Sequence, residues 1–202
     1  MDALREDLCR ALPLAQDELT LRPCQRQDLD RLASWPPYPW PYQAFDFRFR
    51  AYTPEQRDAH FAKRVTSSDR IALACDLESR PTAGYVALVR IDWIDRTAGN
   101  MTLRVHLSHC GHGIGTRTLQ LVCGWWFDHR LRVLRLDVAA SNRRAIRCYQ
   151  KAGFVRDGEF WREALDLTGA DLCGAKYDFL RARVRFTGNT PEIRFYWMIR
   201  EP

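Results

Sequence analysis

Apolar positions along the chain change period several times, and each change marks an element. LTLRP, Leu19 to Pro23, alternates and reads as an opening strand, and QRQDLDRLASW, ending at Trp35, has the spacing of a first helix. A second helix is predicted over TPEQRDAHFAKRV, with Thr53 as its cap and Pro54 in the first turn, where a missing N–H is tolerated. Ile71 to Asp76 and Pro81 to Asp92 read as two antiparallel strands, and a turn through Trp93 to Thr97 follows. Then come an alternating strand, MTLRVHL, the turn SHCGHGIGT, and an apolar helix, LQLVCGWWF. LRLDVAA supplies a further strand, SNRRAIRCYQKAGF a capped helix, and Phe154 to Trp161 and Ile193 to Arg200 the remaining strands. The pattern predicts an α+β domain: a mixed, strongly bent sheet flanked by helices.

The glycine-rich turn carries the first chemical signal. Gly111, Gly113 and Gly115 let the backbone approach a ligand and aim several N–H groups at it, and the helix N-terminus that follows favours phosphate oxygens. A P-loop is excluded because Gly115, not Lys, precedes Thr116. A dinucleotide fingerprint would need Gly where Thr116 stands, after the first strand of a βαβ unit. A turn without a ligand is the plain alternative for such glycines alone. The next helix adds a second signal. Ser141 or Asn142 caps it, Ala145, Ile146, Tyr149 and Ala152 share a face, and Gly153 ends it before Phe154.

V-H-x-x-x-x-G-x-G-I-G-T joined to N-x-x-A-I-x-x-Y-x-K-x-G-F resembles the GNAT superfamily of acyl-CoA-dependent N-acetyltransferases. The resemblance implies a mostly antiparallel sheet of about seven strands with a splayed central pair. It implies acetyl-CoA as co-substrate. Leu103, Arg104 and Val105 fall on the strand that pairs with the pantetheine arm, and Gly111, His112, Gly113, Ile114, Gly115 and Thr116 on the pyrophosphate cradle. Asn142 falls on a polar cofactor contact. Where the family usually has Gln or Arg, this chain has Cys110, and His112 and Arg117 are the candidates to supply the missing donors.

Aminolysis of a thioester expels a thiolate, and a phenol of pKa about 10 is better matched to it than a carboxylic acid of pKa about 4. The resemblance assigns that proton donation to Tyr149; the competing reading is a core residue on the helix's apolar face. Asp137, on the strand before Asn142, is the candidate base for the incoming amine, or else an ion-pair partner of nearby arginines. Asn100 stands where many relatives carry a glutamate, which argues against a base on that strand. His106 follows the pantetheine strand without implying a catalytic duty. No cysteine is placed as an acyl carrier, so the expected reaction is direct attack in a ternary complex. The acceptor is then a small-molecule amine or a protein N-terminus, since LRPCQRQDLDRLASW resembles the branch acetylating ribosomal-protein N-termini and some antibiotics. The alternative is a catalytically inactive acyl-CoA-binding sensor or partner module, kept open by Cys110 and Asn100.

Composition places these residues in one domain, 1–202: 46% of the residues are hydrophobic, enough for a full core. Leu4, Leu8 and Leu12 suggest an amphipathic helix in an N-terminal extension, 1–17, and the absence of a long apolar run there predicts a cytoplasmic protein without a membrane partner. Seven scattered cysteines with no Cys/His spacing predict neither a disulfide framework nor a metal site. The net charge of +6 is mostly arginine, and Arg143, Arg144, Arg147 and Lys151 crowd the Asn142 helix. The resemblance puts the CoA 3′-phosphate there, and no nucleic-acid module is recognisable. Two segments stand apart. Residues 35–49, rich in Pro and aromatics, read as a lid or acceptor wall with Asp46 meeting the amine, or as a packing or homodimer contact. Residues 163–192 read as an insertion before the last strand, with a short helix around Tyr177 to Arg183.

Overall fold

The computed structural model describes residues 2–39, 42, 48–164 and 174–202, so Asp46 and most of the 35–49 segment after Pro39 lie outside the described residues. The chain divides into two units, Met1–Arg135 with Glu201–Pro202, and Leu136–Arg200.

In the first unit the strands run in the order β1 (Leu14–Gln16), β2 (Leu19–Pro23), β3 (Arg70–Leu77), β4 (Arg80–Asp92), β5 (Thr97–Val105) and the start of β6 (Val133–Ala139). Neighbours from β1 to β5 are antiparallel; β5 meets β6 in parallel, through Thr97↔Val133 and Ala98↔Leu134. β3 and β4 carry near-continuous small and branched apolar residues, the pattern of strands covered on both faces, and Ala72–Cys75 and Ala83–Leu88 are indeed buried. α1 (Asp2–Arg10) buries Leu8, and α2 (Arg26–Ala33) packs against β4. α3 (Pro54–His60) opens with the Thr53/Gln56 capping box and continues into a wider turn, Phe61–Val65. α4 (Ile114–Asp128) packs on β2 and β5 with Ile114, Thr118, Leu119, Val122, Cys123, Trp125 and Trp126 buried.

A buried charge network ties α2 to this sheet. Asp28, 0% exposed, accepts two hydrogen bonds from the Arg22 guanidinium (2.7 and 2.8 Å), one from Arg31 (3.0 Å), one from the Thr82 hydroxyl (2.7 Å) and one from the Gln25 N–H (2.8 Å). Arg22 also grips Asp76 at 2.7 Å. Burial favours the neutral acid, but the hydrogen bonds from Arg22, Thr82 and Gln25 outweigh it and hold the Asp28 carboxyl at about 2. With every lone pair engaged, the network fixes the angle at which α2 enters from β2.

In the second unit β6, β9 (Thr190–Arg200) and β7 (Val155–Glu163) lie in that order, and β8 (Val184–Thr187) pairs with β9. The β7–β9 ladder is antiparallel, from Val155↔Ile199 to Glu163↔Glu192. α5 (Arg143–Lys151) follows β6, and α6 (Asp178–Arg181) packs Leu180 against Ala164 in a small cluster with Tyr177, Phe179, Val184 and Ile193.

The predicted strands and helices are present with small shifts at their ends. Two strands go beyond the expectation of about seven. β1 lies in the N-terminal extension, 1–17, after its helix, and β8 inside the segment 163–192. Both are short and mostly exposed, so neither has the alternation that betrays a strand. Among the described residues no helix is long and apolar enough to cross a membrane.

Candidate functional site

β5 ends at Val105, a tight turn Leu107–His109 follows, and α4 starts at Ile114. Gly111 and Gly113 sit at φ +88° and +83°, left-handed backbone that glycine adopts at no steric cost. A Cβ on either would meet nothing within 4 Å, so the backbone here faces open space. Gly115 and Thr116 stand in the first turn of α4, whose amides have no acceptor within the helix. Bare backbone, orphan N–H groups and the positive helix end fit a diphosphate.

The cationic donors differ from the expectation. Arg117 is bound by Glu18, at 3.1 Å through Nη1 and more closely through Nη2, with Asp17 at 3.8 Å. A carboxylate matching its fork holds that guanidinium, so Arg117 is already engaged where a donor in place of the residue missing at Cys110 is expected. The Cys110 thiol itself points at the Val105 carbonyl, 3.6 Å away.

His106 is 7% exposed; its Nδ1 accepts the Ser108 N–H at 3.2 Å, which puts the proton of the neutral ring on Nε2, and the ring stands edge-on to Trp35. These contacts give it a structural duty. Burial, and then the charge of Arg80, lowers the pKa of His106 and of His109 below the usual imidazole value; burial with Arg70 and Arg64 does the same to His60. Arg80, the first residue of β4, is thus a cation acting on the turn before the glycine loop that no motif announces. Because the folded pKa values lie below the unfolded ones, these histidines contribute stability above the unfolded value and lose it as pH falls. The melting temperature should drop as pH falls below about 6.5, and His109→Gln should flatten the decline. A melting temperature independent of pH from 7.5 down to 5.5, on a ~10 °C scale, would contradict this.

The edge of β5 can be read from its register. The His106 N–H donates to the Ala83 carbonyl at 2.8 Å, and Gly84 pairs with Val105 and Tyr85 with Arg104. In an antiparallel ladder the backbone of Arg104 therefore faces β4, while Leu103 and Val105 turn theirs to the opposite edge. Of the three residues expected to meet the pantetheine arm, Leu103 and Val105 have the backbone orientation for it. Side chains already sit on that edge. The Tyr38 hydroxyl donates to the Val105 carbonyl at 2.6 Å and accepts its N–H at 3.3 Å, and Arg104 Nη1 donates to the Leu103 carbonyl at 2.9 Å. Trp35 and Tyr38, the described aromatics that begin the 35–49 segment, are both buried, and the Arg50 guanidinium holds the Trp35 carbonyl at 2.7 Å.

Within the second unit, Asn142 caps α5: its Oδ1 accepts the Ala145 N–H at 3.1 Å, so a cofactor contact would use its NH2 group. Ser141 is not the cap. Tyr149 is 7% exposed, with its ring edge-on to Phe154, as the core reading requires and the proton-donor reading permits. Arg143 and Arg147 are exposed on the same helix. Asp137, on β6, accepts a hydrogen bond from Arg162 at 2.9 Å, the ion pair named as the alternative to a base.

Comparison with known proteins fits this geometry. Residues 18–155 match the family described as acetyltransferase (GNAT) domain. Spermidine N(1)-acetyltransferase of Escherichia coli K12 is 33% identical over 153 residues, which cover 71% of this chain and 76% of that protein. Aminoglycoside N(6')-acetyltransferase type 1 of Klebsiella pneumoniae is 38% identical over 81 residues, 37% of this chain and 40% of that one. Among solved structures, spermidine N-acetyltransferase of Vibrio cholerae in complex with CoA and spermine has a TM-score of 0.63 over 92% of this chain and 96% of its own, at 18% identity, a likeness of fold. The glycine turn that opens α4, the capped helix α5, the mostly antiparallel mixed sheet flanked by helices and the family match spanning both signatures agree: this chain belongs to the GNAT acetyltransferase family.

Proposed function

We propose that the protein transfers an acetyl group from acetyl-CoA to a primary amine by direct attack in a ternary complex. The observation that carries this reading is the glycine loop, where left-handed Gly111 and Gly113 present bare backbone and open space at the N-terminus of α4. The amides from Gly111 to Thr116 hold the diphosphate of CoA, the backbone edge of Leu103 and Val105 takes the pantetheine arm, and the Asn142 NH2 group adds a polar contact. Arg143, Arg144 and Arg147 meet the 3′-phosphate. Tyr149 protonates the departing thiolate. Asp137, its carboxylate steadied by Arg162, accepts the proton of the amine through water.

The acceptor is proposed to be a small polyamine or amino sugar rather than a protein N-terminus, because spermidine and aminoglycosides appear in the names of the curated relatives. A thiol-release assay with acetyl-CoA over spermidine, spermine, kanamycin and N-terminal peptides tests this. Turnover with a polyamine or aminoglycoside is expected; turnover with peptides alone would overturn the acceptor assignment. Acetyl-CoA at about a hundred times its dissociation constant should stabilise the fold by about 2.7 kcal/mol. Binding without turnover on any amine would favour the acyl-CoA sensor, and failure of acetyl-CoA to bind by calorimetry would overturn both readings.

A further inference from the structure

A second concentration of positive charge lies in the first unit, away from the glycine loop. Lys63 and Arg64, on the turn that ends α3, Arg70 at the start of β3 and Arg90 on β4 line a cavity of about 450 Å³ together with Ser67 and Asp69. The volume falls within the range of about 300–1,000 Å³ found for small-molecule sites and exceeds what a single phosphate needs. Val89, also in the lining, stands five residues along β4 from Gly84, the partner of Val105, which separates the cavity from the end of β5 by about 17 Å.

These cations are gathered on one cavity with their charge unmatched. Arg22, Arg26, Arg57, Arg117, Arg162 and Arg185 all make ion pairs. Lys63, Arg64, Arg70 and Arg90 make none among the described residues, and Asp69, the one acid in the lining, takes a hydrogen bond from the Ser67 hydroxyl. Arg90 is held in place from behind by its Nη2 contact to the Gly99 carbonyl at 3.0 Å. A fifth cation abuts the rim: Arg5 reaches the Ser67 carbonyl at 3.5 Å, and its buried Nε has no hydrogen-bond partner among the described residues. Four cations facing one carboxylate repel one another, and a bound anion relieves that repulsion. Planar guanidinium groups match phosphate oxygens in pairs. A polyamine would be repelled here, so the cavity does not suit the proposed acceptor.

We infer that this cavity is a second anion site, whose ligand is a small soluble compound carrying two or more phosphate groups. The inference goes beyond the acetyl-transfer reading and does not depend on it. Sodium tripolyphosphate, titrated calorimetrically at physiological ionic strength with and without saturating CoA, is the probe. Without CoA the glycine loop itself offers tripolyphosphate a further diphosphate site; with CoA saturating that loop, binding with a stoichiometry of about one is expected. The double variant Lys63→Glu/Arg64→Glu should weaken it at least about tenfold, and Arg90→Gln measurably, while Arg10→Glu on exposed α1 should stay within about twofold. Should the double variant lose its fold by circular dichroism, Arg90→Gln decides. Absence of binding, equal weakening by Arg10→Glu, or loss of binding when CoA is present would each overturn the site. Binding of a single-stranded oligonucleotide but not of tripolyphosphate would likewise overturn it, in favour of a polynucleotide surface.

Discussion

Tyr149→Phe is expected to lower turnover by about 10²–10⁴, the range for loss of a general acid, with little change in acetyl-CoA affinity. The variant keeps the aromatic ring that meets Phe154 edge-on and removes only the hydroxyl. Its fold should therefore survive, and near-UV circular dichroism checks that before kinetics are compared. Tyr149 is 7% exposed, which is why packing and catalysis must be separated by an experiment that leaves packing alone. A pH–rate profile separates them further: the alkaline limb should vanish in the variant, while the limb set by amine deprotonation remains. Asp137→Asn should alter that acidic limb instead. Near-full turnover of Tyr149→Phe with chemistry rate-limiting would leave the tyrosine as a packing residue, with water or the amine supplying the proton.

Gly113→Val is expected to abolish acetyl-CoA binding while the domain stays folded. A Cβ there meets nothing within 4 Å in the unliganded loop, so the branch point of the new side chain crushes no protein contact. What it does meet is the space proposed for the diphosphate. The left-handed φ of +83° makes a non-glycine residue strained, at about 1–2 kcal/mol. For a chain of this size that corresponds to a fall in melting temperature of about 2–8 °C. Calorimetric titration then decides: retained tight binding would remove the cradle from the mechanism, and global unfolding would make the glycine structural.

How much was legible in the sequence depended on how far apart the interacting groups lie along the chain. α5 was readable because its signals are local: a cap at Asn142, an apolar face and a stop at Gly153, with φ +88°. The β5–glycine loop–α4 segment was readable for the same reason. Long-range polar pairings left no such trace. Thr82 meets Asp28 across 54 positions, Tyr38 meets Val105 across 67, and Arg117 meets Glu18 across 99. The last explains why Arg117 looked available when only its neighbours in the chain were considered. Arg80 escaped notice because the start of β4, where it stands, has no motif, and its proximity to His106 and His109 follows only from the pairing of β4 with β5. Short β1 and β8 were missed because edge strands of three and four residues are specified by the strand they join.

The Tyr38 hydroxyl on Val105 bears on where affinity for a donor substrate can come from. An extended arm laid along that edge of β5 would not fill empty hydrogen-bonding capacity; at the Val105 carbonyl it would replace a 2.6 Å partner, and at the Leu103 carbonyl the 2.9 Å contact of Arg104. An exchange of one hydrogen bond for another is close to neutral in free energy, whereas a new one to a charged group contributes about 1.5–3 kcal/mol. The middle of such a ligand would then set its direction and reach, and the tightness of its hold would reside almost wholly in its phosphates.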